Sequence, residues 1–443
     1  MDLDAQLAAI RSDPDDDAPR AALAAWWSQQ GDPRGPFVAA QLRAAGLPRW
    51  HPERPALLAE AERLLAGHRD AWLAGVPHGP LAVSFVRGFV GTADGEPAEV
   101  RDHLPALLAA APVQRLELAA DEADDGPADP AVDDLHRCTA LGALHELTFH
   151  DGELHPDRLA GLLAAPVWRA LRALAIGEPM CAAEHVAALA ATALPEAVRS
   201  LRFEGHMGGM GDGGVDALLR APWLGQLDLL TLNGQSLGDA SLAALSASAL
   251  RLQTLGISSA GYGEHSFSAD AVRAAAASPL FRGLRTLSLC GAPIGEALPE
   301  LVAVCRELRS ASLSRTGLDG DDLRLLVRAV TFEGWQELSL AANPIGDGGA
   351  RMLSMCHRLP RVLSLAGCGI SPTGLGWYAS APPVDALDLR SNPLPAAAWQ
   401  QLLDDDRLPK ATALLADAHD WSPELVAAIR ARYPRVDLTG AAT

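Results

Sequence analysis

Apolar residues recur along this chain in a short, fixed cadence. A leucine and two variable positions precede a leucine–any–leucine triplet, and a polar residue and a further aliphatic one follow it. The cadence is clearest at Trp335-Gln336-Glu337-Leu338-Ser339-Leu340-Ala341-Ala342-Asn343-Pro344-Ile345, with Trp335 in the place of the first leucine. Val384 to Leu394 repeats it around Leu387 and Leu389. Leu284 to Ile294 repeats it with Ala292 in the asparagine place, and Leu363-Ser364-Leu365 with Cys368 there. Looser copies come earlier. Marked by the first triplet leucine, the series runs Leu116, Leu147, Leu174, Leu201, Leu230, Leu255, Leu287, Ala311, Leu338, Leu363 and Leu387: about 11 units spaced by 24–32 residues.

Alternation within each triplet predicts a short strand with both leucines inward and the residue between them outward. The Asn, Cys or Thr at the turn is expected to bond backbone groups left unpaired where the chain bends. A helix then returns the chain, and Gly346-Asp347-Gly348-Gly349 marks its start, with Asp347 expected as N-cap. Gly211-Asp212 and Gly238-Asp239 repeat the device. No unit can bury its apolar face alone, so the units must stack. The predicted fold class is an α/β solenoid, a curved parallel sheet inside and helices outside, with a small all-α domain in front.

These repeats resemble bacterial leucine-rich-repeat proteins with units of the ribonuclease-inhibitor type, which carry a full α-helix. The resemblance is specific over about 284–395 and looser over 113–283, where Glu178, Gly205 and Ala260-Gly261 depart from it near the turn.

The ends differ from the array. Val83-Ser84-Phe85-Val86-Arg87-Gly88-Phe89-Val90 predicts one strand, and Leu104-Leu107-Leu108 a helix. Residues 76–112 are therefore assigned as an N-terminal β-α cap, 113–410 as the repeats and 411–443 as a C-terminal cap. In that last segment Ser422-Pro423 starts a helix and Val436-Asp437-Leu438 adds an edge strand. Residues 1–75 predict four short helices. Acidic Asp13 to Asp17 precede Ala18 to Trp27, and Gly31-Asp32-Pro33-Arg34-Gly35 separates this helix from the next. Asp13-Pro14-Asp15-Asp16-Asp17-Ala18-Pro19-Arg20, Trp26, the Gly31–Gly35 stretch, Phe37 and Gln41-Leu42 resemble the bacterial repeat-companion domain, as does Arg87-Gly88-Phe89-Val90. Ala25 departs from the acidic residue usual before the tryptophan. This resemblance implies a module in front of leucine-rich repeats and no reaction.

Net charge is −19, a balance that argues against nucleic acid and anionic membranes as partners. No stretch approaches the roughly 20 apolar residues of a membrane span. Met1-Asp2-Leu3-Asp4 lacks a basic signal region, so a cytoplasmic location is expected. The six cysteines form no CxxC and match no zinc spacing; reduced thiols in small core positions are expected.

Candidate chemistry is sparse. His145, His150 and His155 recur every five residues, a step that converges on neither strand nor helix, so no metal site is assigned. Asp121-Glu122-Ala123-Asp124-Asp125-Gly126 fails the EF-hand pattern at Ala123 and Val132. Gly205 to Gly211 and Ala260 to Ser266 are glycine-rich loops without a phosphate-binding lysine. No catalytic signature and no cofactor motif is present, so the chain is read as non-catalytic. The remaining surface is the inner sheet. Its outward positions and their neighbours are Glu117, Thr148, His150, Arg202, Glu204, Thr231, Asn233, Ser288, Ser312, Arg315, Ser339, Asp388 and Arg390. The expected function is a scaffold binding a protein or peptide through this face. Two alternatives stand beside it: the helical domain as an effector targeted by the repeats, and an enzyme or small-molecule binder built on the glycine-rich loops.

Overall fold

The computed structural model describes residues 2–47, 51, 53–119, 130–150, 152, 154–205, 209–258 and 267–440. The acidic run 121–126, residues 206–208 of one glycine-rich loop and the whole of the other (260–266) lie outside the described residues. The chain divides into two compact units: Met1–Arg49, Glu53–Gly205 and Arg220–Leu227 form the first, and Trp50–Pro52, His206–Leu219 and Asp228–Thr443 the second. No helix among the described residues is long and apolar enough to cross a membrane.

The first unit opens with helices α1 (Leu3–Ser12), α2 (Ala18–Gln29), α3 (Arg34–Gly46) and α4 (Arg54–Leu73). Asp32 accepts from the Arg34 N–H (2.9 Å), a local side-chain turn ahead of α3, whose N-cap is Pro33. Gly35 lets α3 approach α2, since a Cβ there would strike Ser28 and Ala24. Ile10, Leu23, Trp27, Phe37, Val38 and Leu64 are the large side chains of the resulting core. Asp17, placed by its sequence to cap α2, makes no capping bond and turns to Arg87 instead (3.1 Å).

The stretch expected as one strand is a hairpin, β1 (Ala82–Val86) against β2 (Phe89–Gly95). Arg87 (φ +50°) and Gly88 (φ +89°) both lie in the left-handed region, which makes the break a two-residue type I′ turn. Phe85 and Phe89 do not face the repeats alone; they pack against the helical core. Phe85 meets Phe37 edge to face at 5.6 Å, and Phe89 lies 6.0 Å from Trp27. After helix α5 (Pro97–Ala110), parallel strands follow: β3 (Arg115–Leu118), β4 (Glu146–Phe149), β5 (Ala173–Gly177) and β6 (Ser200–Glu204). Ala93, Leu116, Leu147, Leu174 and Leu201 stand in one register across β2 to β6.

The second unit is a parallel array of β7 (Leu229–Asn233), β8 (Thr254–Ser258), β9 (Thr286–Cys290), β10 (Ser310–Ser312), β11 (Glu337–Ser339), β12 (Val362–Ser364), β13 (Val384–Asp388), β14 (Ala411–Asp417) and β15 (Arg435–Thr439). Leu230, Leu255, Leu287, Ala311, Leu338, Leu363, Leu387, Leu414 and Val436 continue register within it. All eleven marker positions of the sequence thus lie on strands, buried, with helices between them. This is the α/β leucine-rich-repeat fold.

Turn residues do what the motif demands. Buried Asn343 accepts from the Thr316 N–H (2.9 Å) and the Leu318 N–H (3.2 Å), and donates to the Leu313 and Leu340 carbonyls (2.7 and 2.8 Å). Asn392 repeats this toward Cys368, Ile370, Leu365 and Leu389. Cys368, in an asparagine place, donates its thiol to the Leu340 carbonyl (3.2 Å) and is pushed up to about 11 by burial. Asp347 corrects the capping expectation. It makes no cap on its own helix and accepts instead from Ser371 in the next repeat.

Candidate functional site

Alternation along each strand puts every second side chain on the face away from the buried leucines. In the first unit, register aligns Asp94, Glu117, Thr148, Ala175 and Arg202 on that face. In the second it aligns Thr231, Gly256, Ser288, Ser312, Ser339, Ser364 and Asp388. The central outward positions read from the sequence therefore share one register in each unit, while His150, Glu204, Asn233, Arg315 and Arg390 lie two or three residues beyond it.

The two rows differ chemically. The second is small and hydroxyl-bearing. Its side chains are half-buried by one another and linked: the Cys290 thiol lies 3.5 Å from the Ser288 hydroxyl and 3.3 Å from that of Ser312, and the Ser314 hydroxyl lies 2.9 Å from that of Ser339. At one end the Ser258 hydroxyl donates to Asn233 (3.0 Å). At the other, Asp388 takes a two-pronged bond from Arg390, both arms 2.9 Å. That pairing holds the Arg390 guanidinium above its ordinary range. Arg315 stands apart, exposed on a left-handed residue (φ +55°) and without an ion pair among the described residues.

In the first unit Arg202 and Glu204 are exposed on β6, two residues apart and unpaired among the described residues. Glu117 and His150, by contrast, come together, and a residue that sequence reasoning missed joins them. Asp94, on β2, lies beside Glu117 in register and 2.9 Å from His150 Nε2. The three offer ligating atoms within 4.8 Å of one another. Asp94 was hidden because the strand was expected to end at Val90, four residues short of it. His145 and His155 do not join this group: His145 faces Asp15, and His155 starts the helix Pro156–Ala164.

A polar cleft of about 250 Å³ lies at the other ends of these strands, lined by Asp15, Arg87, Gln114, His145 and Arg172 among others. Arg87 donates to the Pro14 carbonyl (2.8 Å), to Asp17 and to Gln114 Oε1 (3.0 Å). Gln114 Nε2 donates to Asp15 (3.1 Å), as does Arg172 (2.9 Å). Partial burial works to raise the Asp15 pKa, but hydrogen bonds from Gln114 and Arg172 outweigh it and hold the carboxyl below its ordinary range. Burial, helped by the Arg172 charge, pushes the His145 pKa down. Arg87, Gln114 and Arg172 thus tie the 13–17 loop to the first strands, and this side of the cleft is a fastening between helical module and repeats.

No family model matches the chain. Among solved structures, it is similar to a chain of the Rad7–Elc1 complex in yeast, with 16% identity and a TM-score of 0.47 over 69% of this chain and 76% of that one. It is also similar to a chain of the TLR13–ssRNA13 complex, with 13% identity and a TM-score of 0.39 over 74% of this chain. It spans 46% of the length of that second relative.

Proposed function

We propose that this protein is a non-catalytic interaction scaffold that binds a protein or peptide segment on the outward rows of its strands. The observation that carries the reading is the row Gly256, Ser288, Ser312, Ser339 and Ser364 in the second unit. Five neighbouring strands at about 4.8 Å spacing give a floor about 19 Å long, with no bulky side chain on it. Such a floor admits a partner backbone closely and offers hydroxyls that donate or accept. Exposed charges without an ion pair among the described residues, Arg315 in the second unit and Arg202 and Glu204 in the first, supply orientation and partner choice. The overall charge of −19 favours a partner other than nucleic acid. The reading of the helical module as a separate effector has less support, because that module shares its core with Phe85 and Phe89 of the hairpin.

The test is proximity capture in the source cells with wild type, Arg315→Glu, the Arg202→Glu/Glu204→Arg pair, and a helix-side control, Glu300→Arg, at an exposed position of the helix Leu298–Val304. Partners lost in the row variants and kept in the control are the expected result. Identical partner profiles in all four would overturn the reading.

A further inference from the structure

Asp94, Glu117 and His150 sit on or just beyond three consecutive strands of the first unit, β2, β3 and β4, all half-buried on the outward face. Register sets the two carboxylates side by side, and like charges directly opposite on neighbouring strands are destabilising unless a cation lies between them. The Glu117 carboxylate has no hydrogen bond or ion pair among the described residues. The imidazole completes the group, its Nε2 only 2.9 Å from Asp94 Oδ1. That separation is a hydrogen-bond distance, shorter than the roughly 3.3–3.6 Å between ligands on a tetrahedral ion held at about 2.0–2.2 Å, so coordination moves the two atoms apart by about half an ångström.

We propose that these three side chains bind one divalent transition-metal cation, zinc being the ion that fits the donor set. Two carboxylates neutralise its charge. An imidazole ligand selects against calcium and magnesium, which take oxygen donors. Three protein ligands leave the next coordination position to water, facing outward along the row. Coordination replaces the hydrogen bond between Asp94 and His150: the ring keeps its proton on Nδ1 and presents the Nε2 lone pair to the metal. The inference is independent of the docking reading and stands if the rows bind no partner. Where both hold, the open position gives a partner's own donor a place to attach.

The experiment uses the full chain, stripped of metal by a chelator, and titrates it with zinc chloride by calorimetry and with cobalt(II) by visible absorption. Wild type is compared with Asp94→Asn, Glu117→Gln, His150→Gln and, as a control, His155→Gln. Circular dichroism melts without metal establish that each variant folds. One high-affinity site per chain is expected in wild type and control. Each ligand variant is expected to lose at least about tenfold in affinity, since even residues behind a ligand cost that much. The cobalt d–d bands should change in His150→Gln alone among the two histidine variants. Zinc affinity and cobalt spectra unchanged in all three ligand variants would assign the metal to other histidines or cysteines and overturn the site. Absence of any binding to folded wild type below millimolar zinc would overturn it as well.

Discussion

Asp347 of one repeat holds Ser371 of the next, accepting from its backbone N–H at 2.8 Å and from its hydroxyl at 2.5 Å. Ser371 in turn caps its own helix, Pro372–Tyr378, by accepting from the Thr373 N–H (3.2 Å). A relay therefore runs from the start of one helix to the start of the next. Asp239 does the same with Ser268 (2.6 Å to the N–H, 2.7 Å to the hydroxyl), and Asp212 with Gly238 and Ser241. The Gly-Asp device is thus a clasp between repeats. Asp347→Ala should destabilise the chain by about 1–2 kcal/mol, the worth of a lost cap and a charged hydrogen bond. Urea denaturation checks this, with Asp347→Asn expected to keep part of the loss back. An unchanged midpoint in Asp347→Ala would mean that water replaces the carboxylate without cost.

The clasp also marks where sequence reasoning stops. Leucine positions were legible because burial selects them one by one: a triplet such as Leu338-Ser339-Leu340 reports its own strand whatever its neighbours do. Outward positions followed from the same alternation, so Ser288, Ser312 and Ser339 were placed without error. Partners across repeats were not legible. Asp347 looks like a cap because its acceptor faces a helix start, and only three-dimensional stacking reveals that the helix is the next one. The meeting of Asp94 with Glu117 and His150 needs the register of three strands. Strand β14 escaped because only Leu414 keeps the pattern, in register with Leu387, while buried Ala416 stands where the second triplet leucine is expected. The turn at Arg87 escaped because arginine is an unusual residue for a left-handed position; four hydrogen-bond acceptors on the 13–17 loop and Gln114 hold it there.

His145 should make stability fall as the solution is acidified. Its Nδ1 lies 3.1 Å from Gln114 Nε2, whose amide is oriented by the bond that Gln114 Oε1 accepts from Arg87. The ring therefore receives a hydrogen bond and is neutral. Burial and Arg172 hold its pKa below the ordinary 6.5. In the unfolded chain the ring protonates near pH 6.5, while in the folded chain it resists to lower pH. Between those two values the unfolded state binds more protons, so stability declines as pH drops. Asp15 has its pKa lowered too, but its contribution is present above about pH 4 and is lost only below that. Denaturation of wild type and His145→Gln between pH 7.5 and 5.5 separates the two. The variant should show the shallower decline, and parallel curves would refute the assignment.

Helical module and repeats should unfold as one body at their junction, because the hairpin turn is built into the helical core. Gly88 donates its N–H to Gln41 Oε1 (2.6 Å) on α3, and a Cβ at Gly88 would strike the Val38 side chain. Gly88→Ala combines a left-handed φ with overpacking, at about 2–4 kcal/mol together. Its effect should reach hydrogen exchange in α2 and α3 as well as in β1 and β2. A chain beginning at residue 76 should leave Phe85 and Phe89 without their partners Phe37 and Trp27, bind hydrophobic dye and self-associate. Faster exchange confined to the hairpin in Gly88→Ala, together with a truncated chain that stays monomeric and binds no dye, would show that the repeats begin independently of the four helices.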